Sequence, residues 1–488
     1  MKKPLLIKDN RIYELDKNEK NIYFKNHQNE KIIIDQKMSK FLDRIANKSL
    51  EELEENEMNK NNSKVFLFPD DFNKTKKRDN ENDDDKVYIL KTTKDNDNKI
   101  TSLSTQLTGN LVGFLGEGQQ QLLIKSRFDN DDNNYFLFYM LSRALKIPFV
   151  HSFEFSRDPL ERMIEYYIFL FPLYLKNAMK KGPYKTYVKK QYNDANVKGV
   201  IDVQRHINHN VPFVGKIAYN QREFSYDNYL MELIRHTIAF IKSRYGNELF
   251  ASVKEQVKII EELTPSFDRS KKLNVIRENK KNIVRSNYFS EYRTLQELCI
   301  CILEYKKIGI SGDSNDQIYG VLFDASWIWE EYVNTLIKDE FYHPQNKEKI
   351  GTQYLFRNTD NGRDTQEIYP DFIGKDKSRR VIADAKYKPI ENIGRDDYFQ
   401  VLAYMLRFDS SLAFYLYPST EEEKADKRFE ILKGLSWGSD ENSLDVRSDE
   451  EKLYVIKHGL IIPKSGDDFH EFQLQMEKNE EKFLAEFN

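Results

Sequence analysis

The chain has 488 residues, too many for one ordinary hydrophobic core, and its 39% hydrophobic and 13% aromatic content suffices for two or three. Charged residues make up 32% but the net charge is only −3, which excludes a histone-like protein that grips nucleic acid through global positive charge. Only two cysteines occur, Cys299 and Cys301, in an apolar run with no second pair to complete a zinc site, so they read as core filler in a reducing compartment.

The amino terminus turns polar after Ile7, unlike a signal peptide, and no run of about 18 apolar residues offers a membrane span. The expected location is the cytoplasm. To about Asp35, short alternating segments such as Arg11 to Leu15 and Asn21 to Phe24 predict strands with turn punctuation. The tract from Lys74 to Lys99 is charged and rich in Asn and Asp, and predicts a mobile insertion (near 74–99) flanking one strand at Val87 to Leu90. Leu111 to Leu115 and Leu122 to Ile124 predict two strands around the turn Gly116-Glu-Gly118. No Gly-Lys-Ser/Thr stands at phosphate-loop spacing there and no helix signal opens, so the segment reads as a turn rather than a phosphate loop.

From Tyr135 the pattern becomes helical. Helices are expected at Tyr135 to Leu145, from Asp158-Pro159 to near Lys181, and over Asp227 to Ile241, Phe250 to Leu263 and Glu291 to Tyr305. A polar link, Gly309 to Asp316, leads to a last domain that mixes types. Its expected helices run from Asp324 to Phe341, Asp396 to Phe408 and from Phe469 onward. Its expected strands are Tyr369 to Ile373, Arg380 to Ala385, Leu412 to Leu416 and Leu453 to Ile462. The reading is an α+β multidomain chain: a β-rich amino-terminal region (1–150), a mainly helical middle (151–308) and a carboxy-terminal α/β domain (317–488).

The chemistry concentrates in that last domain, in Tyr369-Pro-Asp371 followed by Val381-Ile-Ala-Asp384-Ala-Lys386. Positions two apart on a strand share a face, so Asp384 and Lys386 project together, and the turn from Gly374 to Arg379 can bring Asp371 alongside. Two carboxylates and an ammonium at that spacing are the PD-(D/E)xK pattern of restriction-endonuclease-like nucleases. Magnesium takes oxygen ligands and keeps several waters, so Asp371 and Asp384 with a backbone carbonyl suffice to hold it. The ion polarises the scissile phosphate and acidifies its water, while Lys386 steadies the charge that grows on the phosphate. Nothing here calls for histidine, and the sequence has none near the motif. Gln400 and Tyr404, four apart on one face of the following helix, can support the motif and a DNA phosphate. Glu330, on the helix that opens the domain, can complete the metal shell; Glu331 lies about 100° round the helix, so only one of the two faces the site.

These residues, and stretches well beyond them, resemble the McrC family, the nuclease subunit of modification-dependent restriction systems of the McrBC type. The resemblance runs through Gly320-Val-Leu-Phe-Asp324, Ile328-Trp-Glu330-Glu-Tyr-Val333, Tyr369-Pro-Asp371 and Asp384-Ala-Lys386-Tyr-Lys388. Upstream it includes Val197 to Asp202 with Arg205, Glu223 to Asp227, Asn287-Tyr288 with Tyr292-Arg293, and Val112-Gly-Phe with Leu123 to Lys125 and Arg127-Phe128. Trp329 stands where the family usually has Phe, and Val200 where it usually has Arg.

The resemblance implies a magnesium-dependent DNA endonuclease subunit and a partner, a ring-forming, McrB-like AAA+ motor that binds and hydrolyses GTP and moves on double-stranded DNA. The middle region is then the part that docks to the motor. The chain itself has no GxxxxGK[ST] loop, in keeping with that division of labour. A lysine cluster (Lys176, Lys180, Lys181, Lys185, Lys189, Lys190) with Tyr184 and Tyr187 between is a candidate for docking or DNA tracking, or a solvated helix end. Two other functions compete: a stand-alone PD-(D/E)xK repair nuclease, and a catalytically vestigial activator of a partner GTPase.

Overall fold

In the computed structural model the described residues are 4–16, 23–26, 30–53, 64–69, 87–106, 109–129, 134–147, 159–310, 317–344, 352–377, 380–421, 426–432, 452–464 and 468–487. They fall into two compact units, one made of Met1–Lys146 with Ser311–Asn488 and the other of Ile147–Ile310. Among the described residues no helix is long and apolar enough to cross a membrane.

The first unit begins with strands β1 (Leu5–Lys8), β2 (Ile12–Asp16), β3 (Tyr23–Lys25) and β4 (Lys31–Ile32), then helices α1 (Gln36–Ile45) and α2 (Leu50–Leu53). Strands β5 (Lys64–Phe68), β6 (Lys91–Lys94), β7 (Ile100–Ser104), β8 (Leu111–Glu117) and β9 (Gln120–Lys125) follow, then helix α3 (Tyr135–Leu145). The expected strand at Val87–Leu90 lies one step later, at β6. Residues 87–90 approach it as a stretch in which Val87, Ile89 and Leu90 are buried and Tyr88 makes a single bridge to Ser49. The part of the charged tract at 74–86 lies outside the described residues.

Two sheets share this region. One is antiparallel, ordered β4-β3-β2-β7-β6, and packs with α1 over a core that includes Tyr13, Phe24, Phe41, Leu42 and Leu103. The other is ordered β1-β9-β8-β13-β5, and β13 (Ile318–Asp324) comes from the far end of the chain. It pairs antiparallel with β8 and parallel with β5, so the first and last segments share one sheet. Two glycines permit this junction. A side chain at Gly113 would sit 2.2 Å from the Val321 carbonyl, and one at Gly320 2.2 Å from that of Phe114.

After β13, Asp324 caps helix α10 (Ala325–Ile337) by accepting the Trp327 N–H. Strand order in the next sheet is β14 (Phe341–Tyr342), β17 (Phe372–Gly374), β18 (Val381–Ala385), β19 (Leu412–Ser419), β21 (Tyr454–Ile461) and β20 (Asp426–Glu430). Strands β18, β19 and β21 run parallel, and α11 (Arg395–Phe408) supplies the crossover that a parallel β18–β19 pair requires. Val401, Tyr404 and Met405 of α11 bury against Ile382, Ala413 and Tyr415 of the sheet. A separate hairpin, β15 (Gln353–Arg357) with β16 (Asp364–Ile368), precedes β17. The closing helix, α12 (Phe469–Leu484), buries Glu480 where it accepts from Tyr139 (2.7 Å) of α3, Tyr332 (2.6 Å) of α10 and Arg143 (2.9 Å). Three donors so placed satisfy a carboxyl group that would be costly to bury without partners.

The second unit contains α4 (Pro159–Met179), α6 (Tyr229–Tyr245), α7 (Lys254–Leu263), α8 (Lys272–Lys281) and α9 (Ser290–Ile310). Both cysteines are buried in α9. The unit is less purely helical than its sequence pattern predicts. Strands β10 (Thr186–Asp194), β11 (Val200–Ile201) and β12 (Ile217–Ser225) form a small antiparallel sheet, with α5 (Val203–Asn210) between the last two. Side chains along β10 alternate between half-buried and exposed with none buried, so the strand never shows the apolar face that marks a strand in sequence. The lysine cluster is divided between the end of α4 and β10. Lys181 pairs with Glu291, Lys190 with Glu223, and Lys185 lies over Phe224 and Tyr226. Tyr184 is packed on Phe289 and Tyr292.

Candidate active site

The pairing of β17 with β18 sets the site. Phe372 lies opposite Ala383 and Ile373 opposite Ile382, which puts Asp371, just before β17, against the end of β18. There its Oδ2 accepts the Ala385 N–H at 2.9 Å. Asp384, only 1% exposed, and Lys386 project to one side. Lys386 Nζ pairs with Asp384 Oδ2 at 2.6 Å. Behind the lysine, its own N–H and the Trp329 indole N–H both donate to the Leu416 carbonyl, at 2.8 and 3.0 Å.

Helix α11 delivers its two polar residues to this spot. Lys386 Nζ donates to Gln400 Oε1 (2.9 Å), Gln400 Nε2 donates to the Tyr404 hydroxyl (2.9 Å), and that hydroxyl donates to the Tyr369 carbonyl (3.2 Å). The chain of bonds thus runs from the lysine back to the segment bearing Asp371. Burial, reinforced by Asp384, pushes the Tyr404 phenol up to about 12, so it stays a donor at neutral pH.

The carboxylates are under electrostatic pressure. Burial, then the charges of Glu330 and Asp384, hold Asp371 well above the usual carboxylate range, against the pull of Lys386. Asp384 is also raised, by burial, with Lys386 opposing. Burial alone would lower the Lys386 ammonium, but Asp384 and Asp371 outweigh it and raise it, so it is charged throughout the working range. Glu330 is half-buried and near enough for Asp371 to feel its charge. Among the described residues no three or more His, Cys, Asp or Glu side chains form a ready-made metal-binding group. The residues present still fit a hard cation: two neighbouring carboxylates, Asp384 buried and Asp371 half-buried, with the charge of Asp384 opposing the ionisation of Asp371.

A direct consequence concerns stability. A carboxyl whose folded value is raised stabilises the fold below its unfolded value, about 4, and that stability is lost as pH rises through the raised folded value. Asp371→Asn keeps an acceptor for the Ala385 N–H and removes the repulsion. It is expected to raise the melting temperature of the metal-free protein at pH 7 and to leave it unchanged near pH 3. A melt at pH 7 no higher than wild type would remove the electrostatic reading.

Sequence reasoning missed two residues here. The sequence has no histidine near the motif, yet the fold brings His343 to it. Its Nδ1 lies 2.9 Å from the Asp371 carbonyl, and its Nε2 lies 3.5 Å from Glu331 and 3.8 Å from Glu330. Both glutamates therefore approach this ring, rather than one facing in and one out. Burial tends to lower the imidazole, but Glu331, the Asp371 carbonyl and Glu330 together raise it. No local pattern could have found it, because β14 returns to β17 across 28 residues. The second is Asp397, which accepts Lys388 Nζ at 2.7 Å and the Gly394 N–H at 2.9 Å, and lies 3.7 Å from Lys386. Its position in the first turn of α11 was a usable signal, since an acid there caps the helix start.

The fold and site define a mixed α+β protein that gathers an Asp-Asp-Lys cluster, with Asp384 buried, at the end of a sheet strand. A family model described as "McrBC 5-methylcytosine restriction system component" matches residues 107–418, more than half of the chain, and the chain belongs to this McrBC family. Similar solved structures include a chain of the refined half-complex from the tetradecameric assembly of Thermococcus gammatolerans McrB AAA+ hexamers with bound McrC. It is 15% identical, with a TM-score of 0.40 over 80% of this chain and 84% of that one. A chain of the cryo-EM structure of the Thermococcus gammatolerans McrBC complex is 13% identical, with a TM-score of 0.30 over 69% of this chain and 87% of that one. No curated protein matches the chain.

Proposed function

We propose that this chain is the magnesium-dependent DNA endonuclease subunit of a GTP-driven, modification-dependent restriction complex, with Asp371, Asp384 and Lys386 as its catalytic residues. The observation that carries the reading is the convergence of those three side chains with Gln400 and Tyr404 on one face of β18. A magnesium ion held by Asp371 and Asp384, with Glu330 alongside, would supply Lewis-acid activation of the phosphodiester and of its attacking water. Lys386, kept cationic by its carboxylate neighbours, offers its ammonium to the phosphate oxygen that gains negative charge as water adds and the bond to one sugar oxygen breaks. Gln400 and Tyr404 hold that ammonium so that little reorganisation is left for the reaction.

The middle unit is, in this reading, the part that docks to an AAA+ GTPase ring and stimulates it. Support comes from family membership, from the lack of a nucleotide-binding loop in this chain, and from an apolar surface at β11 and α5. There Val200 (77%) and Phe213 (68%) are exposed, as are Val203, Ile207, Val211 and Val214. So many apolar side chains left in water on β11, α5 and the segment after it mark an interaction surface. Phe213→Asp is expected to leave the melting temperature unchanged, as exposed substitutions do, and to cut stimulation of the partner GTPase about tenfold or more. Wild-type stimulation by that variant would move the docking surface elsewhere.

The defining experiment is cleavage of modified and unmodified plasmid DNA with magnesium, with and without the neighbouring motor subunit and GTP. Cleavage that needs partner and GTP supports the complex. Cleavage by this chain alone points to a stand-alone nuclease, and GTPase stimulation with no cleavage under any condition points to a vestigial activator.

A further inference from the structure

Helix α10 packs against β18, and just past the end of that strand the chain meets the amino-terminal segment that follows β9. Tyr387, one residue past the lysine, points backward and is buried. Its hydroxyl lies 2.6 Å from Ser126 Oγ, both groups fully enclosed. Its ring meets Phe128 edge-on at 5.1 Å, and the Arg127 guanidinium lies 5.1 Å from the ring centre. Ser126, Arg127 and Phe128 follow β9 directly. Arg127 is fixed by Asp9, just after β1, through its backbone N–H (2.5 Å), Nε (2.9 Å) and Nη2 (2.5 Å), and it also donates to Asn110. Asn110 in turn donates to Ser326 Oγ (2.7 Å), and its carbonyl takes the Ala325 N–H (3.0 Å) at the start of α10, the helix that carries Glu330. One buried node thus touches the end of β18, beside Lys386, and the start of α10, which carries Glu330.

Apolar packing would hold two sheets together as well and without the desolvation cost of a buried ion pair. What directional bonds add is position: a hydroxyl pair and a forked guanidinium fix a strand along its own axis, where apolar side chains slide. A phosphate-stabilising ammonium is sensitive to such displacement.

We propose that Asp9, Arg127, Ser126 and Tyr387 are positioning residues of the nuclease, through which the amino-terminal sheet sets the placement of Lys386. This rests on the nuclease reading above. The test uses the full chain with its motor partner and GTP, in Tyr387→Phe, Ser126→Ala and the double variant, which remove the hydroxyl pair but keep the ring packing. Each single variant is expected to lower kcat for DNA cleavage about tenfold, the order expected of a sub-ångström misplacement, with KM for DNA unchanged. The double variant should be no worse than the worse single one, because both remove the same bond. In the metal-free protein, hydrogen exchange over residues 381–388 should rise while the rest of the first unit keeps its protection. Wild-type kcat and exchange in Tyr387→Phe would overturn the inference, as would a loss of kcat matched by a fall in melting temperature and exchange across the whole unit. Asp384→Ala run beside them separates the two readings: if it cleaves like wild type, the nuclease assignment fails, whereas the local exchange result still reads the placement of the strand.

Discussion

Asp384→Ala and Lys386→Ala are each expected to lower DNA cleavage by about a thousandfold or more while the protein stays folded and continues to stimulate its partner's GTPase. The size follows from what is removed. Loss of a preorganised charge at a reacting phosphate costs about 10²–10³ in rate, and loss of a metal-holding carboxylate removes the Lewis acid as well. The folded state should not suffer, because Asp384 sits in a cluster that burial already disfavours, with Asp371 repelling it. Its removal relieves that pressure, and Lys386 keeps Gln400 as a partner at 2.9 Å. Lys386→Ala is the harsher change for stability, since it leaves the Asp371 and Asp384 carboxyls together without their cation; a small fall in melting temperature that magnesium restores is the expected companion. The proposed docking surface lies in the other unit, so GTPase stimulation should survive either substitution, and the melting temperature is the control for folding of the first unit. Persistent cleavage in either variant would remove the site from the chemistry.

Arg127→Ala is expected to destabilise the first unit by about 3–5 kcal/mol, the cost of leaving a buried carboxylate without its cation. Asp9 is fully buried, and Arg127 supplies three of the bonds that its oxygens accept. The backbone N–H survives the substitution, but it cannot neutralise the charge. Asp9→Asn in the Arg127→Ala background should recover part of the loss, because the buried charge is then gone from both sides. The Arg357–Asp364 pair makes the contrast. It joins the two strands of the β15–β16 hairpin at 2.6 Å but stands in water, and Asp364→Asn should leave the urea midpoint of the protein where it was. Equal midpoint shifts for the buried and the exposed pair would refute this account of what holds the first unit together.

What the chain reveals by itself is whatever depends on spacing. The period of two along Val381 to Lys388 places Asp384 and Lys386 together, and the i, i+4 spacing of Gln400 and Tyr404 puts both on the face of α11 that meets the lysine. Helix α3 is legible to its end residues, because Tyr135 to Leu145 is an apolar-rich run interrupted only at Ser142 and Arg143. Tertiary structure alone decided what depends on partners distant in the chain. Strand β13 enters the amino-terminal sheet beside β8, some 200 residues away, as Ile318 opposite Glu117 records. Its hydrogen bonds are made by backbone groups that look alike at every residue, so no local pattern names the neighbour. His343 reaches Asp371, and Ser126 reaches Tyr387, for the same reason. Strand β10 escaped notice on different grounds. Its pairing with β12 is stabilised by backbone bonds and by contacts such as Tyr192 stacked on Tyr219, with no buried face to impose an apolar alternation. Local periodicity therefore determined which side chains share a face, and long-range backbone pairing determined which faces meet.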